Sequence, residues 1–448
     1  MAVIEGLKAK VAGEVILPKD SAYEEARHVW NAMIDRRPRA IVRCSGLDDV
    51  VTSVDFARDN DWLVAVRGGG HNAAGLAVCD DGLVIDLSKM RSVQVDPEKK
   101  TARAQGGATW SDFDAATARH GLATTGGAIS TTGIGGLTLG GGIGYLMRRY
   151  GLACDNLISV EMVTASGDVI EASAEKNTDL FWGVRGGGGN FGVVTNLEYR
   201  LHPVETILGG LLLYPIEKAR ETLAYYRELM ATAPDELTVF GLMMTTPDGA
   251  RVVAFLVGYC GPLEEGAKVL RPAREFGPPV ADQVSPMPYP KLQSILDDGF
   301  AAGLQVYWRG DFLAGIPDEA IDELVKQFSQ VTSPLSALIL EPMGGAVARV
   351  GSEETAFNHR DAAYNLAIIA RWEDANEPDA HIAWVRSVNE AMDRFTTGGV
   401  YVNYLGDEGQ DRVRAAYGKT KYDRLVALKD KYDPDNFFRR NQNIQPSG

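Results

Sequence analysis

The sequence predicts an α+β fold built from two parts that differ in character. In the first hundred residues, short apolar strands alternate with amphipathic helices, a pattern typical of an α/β layer. Glycine is concentrated in three clusters of this first half, each next to a predicted strand. After Pro203 the clusters end, and long strands with amphipathic helices predict an antiparallel sheet with helices over residues 206–400.

Local signals predict the elements in order. A capping-box pattern at Ser21 and Glu24 predicts a helix that runs towards Met33. Further predicted elements are strands over residues 39–43, 62–66, 83–87 and 193–201, hairpins over 93–105 and 158–172, and helices over 48–57, 110–120 and 223–230. Six prolines between residues 272 and 290 predict a long loop, and the stretch from Asp411 is predicted to be helical and then extended.

Charge and cysteine content exclude several classes of function. The formal net charge of −15 argues against a nucleic-acid partner and against attraction to an anionic membrane surface. The cysteines at 44, 79, 154 and 260 form no CxxC pair, so we expect free thiols and no metal site. Residues 1–20 carry charges throughout and lack an apolar signal segment, so we expect a cytoplasmic protein.

The uncharged stretch from Thr124 to Leu146 is not predicted to cross a membrane. Nine of its 23 residues are glycine, and each glycine costs a helix about 1 kcal/mol relative to alanine. Glycine lets backbone N–H groups approach a ligand closely. A single cluster would be read as a surface turn, but three clusters that adjoin strands favour a nucleotide cofactor. The spacing does not fit the GxGxxG or GxxxxGK[ST] motif.

His71 directly follows Gly68, Gly69 and Gly70, where the backbone is expected to be close to the cofactor. A histidine in a turn is more often structural or exposed to solvent. A neutral imidazole is, however, a competent nucleophile towards an electrophilic flavin methyl carbon.

Several motifs, taken together and in order, resemble those of the berberine-bridge-enzyme-like flavoproteins of the vanillyl-alcohol-oxidase superfamily, which carry a PCMH-type FAD-binding domain. They are Arg67-Gly-Gly-Gly-His-Asn72, Gly133-Ile-Gly-Gly136, Gly140-Gly-Gly-Ile-Gly144, Arg149-Tyr-Gly-Leu152, Asp155-Asn156, Asp179-Leu-Phe-Trp182, Arg185-Gly-Gly-Gly-Gly-Asn-Phe-Gly192, Phe357-Asn-His-Arg360, Tyr401-Val-Asn-Tyr404 and Tyr432-Asp-Pro-Asp-Asn-Phe-Phe-Arg-Arg-Asn-Gln-Asn-Ile444.

The resemblance implies an FAD-binding domain formed by residues 1–205 and 405–448 and a substrate-binding domain formed by residues 206–404. FAD is the implied cofactor, linked covalently through His71 only, because Ile129 stands where many relatives carry a second, cysteinyl bond. The residues implied to bind FAD are Arg67, Gly68, Gly69, Gly70, His71, Asn72, Gly127, Thr131, Thr132, Gly135, Gly136, Gly141, Gly142, Gly144, Tyr150, Gly151, Leu152, Asp155, Gly192, Val194, Tyr404, Asn441 and Asn443.

Tyr404 and Asn365 are the implied catalytic residues. Relatives often use the second tyrosine of Y-x-N-Y as the base, and others use a glutamate where Asn365 stands here. Asparagine is not a base at neutral pH, so Tyr404 is favoured, with a purely packing role for its ring as the alternative. If residues 401–404 form a strand, Tyr401 and Tyr404 face opposite sides.

The implied activity is that of an oxidase that takes a hydride from an alcohol, a sugar or a cyclic amine and passes electrons to molecular oxygen. The alternatives are a dehydrogenase with another electron acceptor and a flavin-holding protein that binds a small molecule without turnover. An RNA-binding protein of the RGG type is poorly supported by the negative charge. The expected partners are the small-molecule substrate and O₂, and the sequence makes no prediction of the oligomeric state.

Overall fold

The computed structural model describes residues 2–448 and contains three main sheets. The first part of the chain forms α1 (Ala2–Lys8), β1 (Glu14–Ile16), α2 (Tyr23–Arg27), β2 (Ala40–Arg43), α3 (Leu47–Asp59), β3 (Val64–Arg67) and β4 (Leu83–Asp86). These strands make a four-stranded sheet in the order β1-β2-β4-β3, in which β4 is parallel to β2 and β3. β4 is buried along its whole length, as expected for the centre of a parallel sheet.

A second, five-stranded antiparallel sheet follows, with the order β5-β6-β10-β8-β9. This part of the chain comprises β5 (Val93–Asp96), β6 (Thr101–Gln105), α4 (Trp110–Thr117), β7 (Leu122–Ala123), α5 (Ile134–Leu139), α6 (Met147–Tyr150), β8 (Leu157–Val163), β9 (Val169–Ser173), α7 (Thr178–Gly183), β10 (Val193–Arg200) and β11 (His202–Pro203). Thr109 caps α4 with a complete capping box, and Gly121 ends the following 3₁₀ turn in the left-handed conformation.

The third sheet has eight strands, all drawn from residues 206–372. Its region comprises β12 (Thr206–Pro215), α8 (Ala219–Thr232), β13 (Leu237–Thr245), β14 (Arg251–Tyr259), α9 (Leu263–Glu275), β15 (Ala281–Asp282), β16 (Ser285–Pro288), α10 (Tyr289–Gln293), β17 (Gln305–Leu313), α11 (Asp318–Ser329), β18 (Ala337–Pro342), α12 (Ala346–Arg349), β19 (Tyr364–Trp372) and α13 (Pro378–Met392). All pairings in this sheet are antiparallel.

The two faces of the large sheet pack against different partners. One face, which includes Leu366 and Ile368, packs against α8, α11 and α13. The other face includes Ala367 and Ile369 and packs towards the glycine-rich segment around Ile143. Since β19 is buried on both faces, its sequence is almost continuously apolar, and the polar residues on it stand out.

The chain returns to the first two sheets through α14 (Gln410–Tyr432), which is kinked at Gly418 (φ 67°, ψ 161°). At its end Lys429 and Asp433 form a fully buried ion pair, and Lys429 Nζ also donates to the carbonyls of Asn190 and Phe438. The last residues are thereby fixed against the third glycine cluster. The α+β class is confirmed, whereas the domain boundaries at 205/206 and 404/405 stay predictions.

Three predicted elements differ from the structure. The helix predicted from Ser21 towards Met33 spans only Tyr23–Arg27, and Ser21 does not cap it. The prolines between 272 and 290 do not form one long loop, because Pro272 lies inside α9 and Pro290 in the first turn of α10, where proline is tolerated. The glycine tract contains α5, although α5 has only six residues. No helix of residues 2–448 is long and apolar enough to span a membrane.

Candidate active site

A cavity of about 290 Å³ lies where the three sheets meet, and glycine backbone forms much of its wall. Gly68, Gly69 and Gly70 follow β3, and Gly133, Gly135 and Gly136 surround the start of α5. The two segments touch backbone to backbone, since a Cβ on Gly69 would lie 2.3 Å from the Gly133 nitrogen. Glycine is therefore required at 69 and 133 by close approach of the two backbones, and at Gly70 by its positive φ of 70°.

His71 lines this cavity and is held on three sides. Its ring stacks on Trp30 with centroids 5.2 Å apart and planes 17° from parallel. Thr131 Oγ1 lies 2.9 Å from Nε2, and Thr132 Oγ1 lies 3.4 Å from Nδ1. Burial lowers the pKa of His71 to about 4, because it disfavours the charged form. The imidazole is therefore neutral at physiological pH and keeps one lone pair available for a bond to carbon.

Tyr404 also lines the cavity and is hydrogen-bonded to a carboxylate that the sequence analysis did not identify. The Tyr404 hydroxyl donates to Glu341 Oε1 at 2.7 Å, and Asn365 Nδ2 donates to Glu341 Oε2 at 2.6 Å. Glu341 and Asn365 are opposite each other on β18 and β19. Tyr404 lines the cavity, whereas Glu341 is buried behind Tyr404. The Tyr404 phenol therefore connects the Glu341 carboxylate to the cavity.

The electrostatics of this group favour Glu341 as the final proton acceptor. Burial raises the pKa of Glu341 to about 7, and the hydrogen bonds from Tyr404 and Asn365 only partly offset that rise. Burial and the adjacent Glu341 charge raise the pKa of Tyr404 well above its ordinary value. A tyrosinate at position 404 beside an ionised Glu341 is thus disfavoured. The pair instead holds one proton between them and can take up a second near neutral pH.

Tyr401 and Tyr404 both line the cavity, which corrects the prediction that they face opposite sides. Residues 402–404 form a 3₁₀ turn rather than a strand, and side chains three residues apart eclipse in a 3₁₀ turn. The two rings meet edge to face with centroids 4.9 Å apart. The Tyr401 hydroxyl accepts hydrogen bonds from the Gly142 N–H and from Asn403 Nδ2, so it ties the C-terminal segment to the glycine tract.

Asn365 makes no hydrogen bond to Tyr404. Its amide bonds Glu341 instead, and its Oδ1 is buried without a hydrogen-bond partner among residues 2–448. Asn365 itself carries no carboxylate, but Glu341 on the neighbouring strand places one beside it.

About half of the residues predicted to bind the cofactor line the cavity. They are Gly68, Gly69, Gly70, His71, Asn72, Thr132, Gly135, Gly136, Gly192, Val194, Tyr404 and Asn441. Arg67 does not line it, because its guanidinium binds the buried Asp86 and the carbonyls of Ala26 and His28. Arg67 therefore fixes the start of the glycine turn from behind.

The remaining predicted residues do not line the cavity. Asp155 forms a buried ion pair with Arg360 and accepts the Leu152 N–H, and Tyr150 stacks on His202. Gly144 is required because a Cβ there would lie 2.1 Å from the Gly126 carbonyl oxygen. The others outside the wall are Gly127, Thr131, Gly141, Gly142, Gly151 and Asn443.

The sequence analysis did not identify three aromatic side chains that line the cavity, namely Trp30, Phe300 and Trp308. Trp308 packs on Tyr404 with centroids 4.5 Å apart, and Trp30 Nε1 donates to the Phe300 carbonyl. The signal for Glu341 was a single acid within the apolar run Ala-Leu-Ile-Leu-Glu-Pro of β18. A buried acid in such a strand requires partners, and here they are Tyr404 and Asn365.

The wall suits a flavin dinucleotide. The glycine segments present backbone amides without side chains, as a pyrophosphate requires. Asn441 Oδ1 and Arg440 Nε are buried without partners among the described residues, and both side chains line the cavity. Lining residues within Gly68–Asn72, Thr132–Gly136, Gly188–Gly192 and Arg440–Gln442 would hold FAD. Residues 2–448 contain no cluster of His, Cys, Asp and Glu suited to a metal ion.

Comparisons with known proteins agree with this site. Residues 38–173 match the family described as FAD binding domain, and residues 400–445 match the family described as Berberine and berberine like. An FAD-linked oxidoreductase of Dictyostelium discoideum is 33% identical over 93% of this chain and 91% of its own length. The (R)-6-hydroxynicotine oxidase of Paenarthrobacter nicotinovorans is 32% identical over 98% of both chains.

Solved structures with the same fold also superpose on this chain. The crystal structure of 6-hydroxy-D-nicotine oxidase from Arthrobacter nicotinovorans superposes with a TM-score of 0.90 at 30% identity, covering 98% of each chain. A BBE-like protein of Arabidopsis thaliana superposes with a TM-score of 0.88 at 25% identity, covering 99% of this chain and 100% of its own.

Proposed function

Because the chain belongs to the berberine-bridge-enzyme-like FAD-linked oxidoreductases, we propose that it is an oxidase of a small-molecule alcohol, sugar or cyclic amine. The observation that carries this proposal is the hydrogen bond from Tyr404 to Glu341 at the aromatic end of a glycine-walled cavity. When bound, FAD supplies a two-electron acceptor for the substrate hydride and a route for those electrons to O₂, which gives H₂O₂.

The proton is the part of the reaction that this chain's residues control. Oxidation of a C–H bond next to a hydroxyl or N–H group also removes the O–H or N–H proton of the substrate, and for such substrates the chain must accept that proton. Tyr404 receives that proton as its own hydroxyl proton moves to Glu341 Oε1, 2.7 Å away. With a pKa raised to about 7, Glu341 is ionised in a useful fraction at neutral pH and is also basic enough to hold the proton. Asn365 orients the carboxylate from the other side.

The proposal includes a single covalent bond to FAD through His71. Its support is a neutral imidazole in the cavity wall, with Trp30 and the two threonines restricting its orientation. Ile129 lines the same cavity and offers no sulfur for a second bond.

The cavity favours a substrate with a flat or ring-shaped reacting part, because Trp30, Trp308 and Tyr404 present aromatic faces there. The hydroxynicotine oxidase relative acts, by its name, on a cyclic amine. The dehydrogenase and the flavin-holding alternatives share the same wall, and the fate of the electrons distinguishes them.

The test is an anaerobic screen of alcohols, sugars and cyclic amines for loss of flavin absorbance in the purified holoenzyme. We expect one class to bleach the flavin and air to restore the colour within seconds, with one H₂O₂ per substrate oxidised. Slow recovery in air with fast recovery by a dye acceptor would establish a dehydrogenase instead. Binding of a compound without bleaching would support the flavin-holding alternative.

A further inference from the structure

A buried arginine without a counter-ion lies on the face of the large sheet that includes Ala367 and Ile369, at the end of β19. The Arg371 side chain is on β19 and is 5% exposed. Only Nη2 is bonded, to the Leu335 carbonyl at 2.7 Å, whereas Nε and Nη1 are buried without a partner within residues 2–448. Burial lowers the pKa of Arg371 to about 10, and no acid of the described chain acts to raise it.

The Phe300 ring, on which the guanidinium stacks, compensates only part of the cost of burying this charge. Moving an unpaired charge out of water costs several kcal/mol, and buried charges are normally paired. The buried Arg67 and Arg360 are paired with Asp86 and Asp155. Arg148, which also has no ion pair, donates to the carbonyls of Met343 and Ala233 through both of its terminal nitrogens, whereas Arg371 donates through only one. The two free N–H groups of Arg371 point to a counter-charge that is supplied from outside the chain.

Arg371 is separated from the cavity by a single aromatic ring. Its guanidinium carbon lies 4.0 Å from the centre of the Phe300 ring, and Phe300 lines the cavity. The Phe300 backbone is fixed, because its carbonyl accepts Trp30 Nε1 and its N–H bonds the Leu296 carbonyl. The Phe300 side chain is buried in the apolar cluster on this face of the sheet, so a path to Arg371 requires its ring to displace neighbouring side chains.

Three unsatisfied or reactive groups form a row on this face of β17 and β19. Tyr404 packs on Gly310, which pairs with Ala367, Trp308 pairs with Ile369, and Val306 pairs with Arg371. Trp308 Nε1 is also buried without a partner among the described residues, and its ring lines the cavity. From Ala367 to Arg371 is four residues, which is about 13 Å along a strand.

We propose that Arg371 binds a carboxylate or another oxyanion at the end of the substrate remote from the oxidised carbon, once the Phe300 ring has turned aside. The inference rests on the proposed function and deepens it, since it names the class of substrate. The oxidised end of the substrate lies at Tyr404, and Trp308 Nε1 donates to an acceptor in the middle of the substrate. The Arg371 guanidinium binds the anionic end through its two free N–H groups. Substrates are therefore elongated, with a ring at one end and an anion at the other.

The experiment compares two series of ligands in the flavin-loaded enzyme. One is the ω-phenylalkanoates from 3-phenylpropionate to 8-phenyloctanoate, and the other is the matching primary amides. Titration is followed by the shift of the flavin absorption band. Beyond a threshold chain length, we expect the carboxylate to bind at least about tenfold more tightly than the amide, as a charge-assisted hydrogen bond gives. If no carboxylate binds more tightly than its matching amide, the inference is overturned.

Variants assign the preference to the guanidinium. Arg371→Met should abolish the carboxylate preference, and Arg371→Lys should keep part of it. Arg386→Met is the matched control, because Arg386 stacks on Tyr307 at the exposed surface, and it should keep the full preference. A preference that persists in Arg371→Met overturns the inference. The melting temperature of Arg371→Met should equal or exceed that of the wild type, and a fall would show a structural role instead.

A second variant leaves Arg371 intact and tests whether the Phe300 ring blocks access to it. Phe300→Ala removes the ring between the cavity and the guanidinium, so the preference should appear at shorter chain lengths; an unchanged threshold argues against the proposed path.

Inorganic phosphate should compete with the long phenylalkanoates, and phosphate that binds without competing would indicate an anion site unrelated to substrate. These titrations need no turnover. Failure of the oxidase proposal therefore leaves them interpretable, and oxidation of neutral substrates without any carboxylate preference contradicts only this inference.

Discussion

Glu341 and Asn365 occupy directly opposite positions on neighbouring antiparallel strands, and the Asn365 amide donates a 2.6 Å hydrogen bond to the Glu341 carboxylate. The second carboxylate oxygen is left for the Tyr404 hydroxyl. A cross-strand pair of this kind fixes the carboxylate more firmly than a loop would, because both backbone positions are set by the ladder. The effects of Glu341 on activity and on stability can be measured separately.

Replacement of the carboxylate by an amide removes the proton acceptor. We expect Glu341→Gln to slow flavin reduction by on the order of 10²–10⁴-fold, the usual range for loss of a general base. In the wild type the rate should rise with pH through about 7, where Glu341 ionises, and level off above, whereas the variant should lose this rise. Anaerobic stopped-flow measurement at several pH values gives the rates. Asp114→Asn, which alters another fully buried carboxyl outside the cavity, should keep the wild-type profile.

The two tyrosines of the 3₁₀ turn should differ sharply despite sharing the cavity. Tyr404→Phe interrupts the route to Glu341, so reduction should slow by on the order of 10²-fold or more. Tyr401→Phe removes only the bonds to Gly142 and Asn403, and the rate should change much less. Single-turnover reduction of both variants with one substrate provides the comparison. Equal losses would mean that the turn positions the substrate and that neither phenol carries the proton.

Asn365→Ala should give an intermediate effect with a distinct signature. The Asn365 amide favours the ionised form of Glu341, so its loss should move the Glu341 pKa further upwards. The rate at pH 7 should fall while the rate at pH 9 approaches that of the wild type. Asn365→Asp, which adds a second buried acid beside Glu341, should move the profile further still. A pH-independent loss of rate in Asn365→Ala would instead indicate a packing defect.

Covalent attachment can be tested without any substrate. After acid precipitation the wild-type pellet should remain yellow, and His71→Ala should release its flavin into the supernatant. His120→Ala, which alters an exposed histidine, should retain it. A peptide carrying flavin on any of the four cysteines would contradict the single bond through His71.

Stability should depend on pH through the same carboxyl. A folded-state pKa raised from 4.5 to about 7 stabilises the fold below the unfolded value and loses that contribution as pH rises through 7. The full loss is about 3 kcal/mol for a shift of this size. Relative to the wild type, Glu341→Gln should therefore gain stability between pH 4.5 and pH 7.5. Urea unfolding of both proteins at the two pH values measures the difference, and a constant difference would contradict the shifted pKa.

Some of the site could be predicted because the constraint lies in the backbone. Gly69 and Gly133 approach so closely that no other residue fits, and such positions are visible as glycine clusters in the sequence. His71 was predictable for the same reason, since it continues one of these clusters. The antiparallel sheet was predictable from the long apolar strands that build it.

Other parts depended on contacts between distant segments, which a single sequence does not reveal. Glu341 meets Tyr404 across 63 positions of the chain, and Trp30 reaches Phe300 across 270. The turn at Tyr401 could not be distinguished from a strand, because its residues suit both and its shape is set by packing against Gly142. Arg67 adjoins the glycine turn in sequence but is directed away from the cavity by Asp86.

The cavity wall also bears on how the protein is made. Its residues run from Trp30 near the start of the chain to Gln442 near the end, and Arg440 bonds the carbonyls of Gly75 and Val78. A chain that emerges from the ribosome folds its N-terminal portion first. The groove can form early, but it stays open on one side until residues 438–442 are translated. We therefore expect cofactor capture to follow translation of this segment, and we expect chains truncated before Phe438 to be unable to enclose the cofactor.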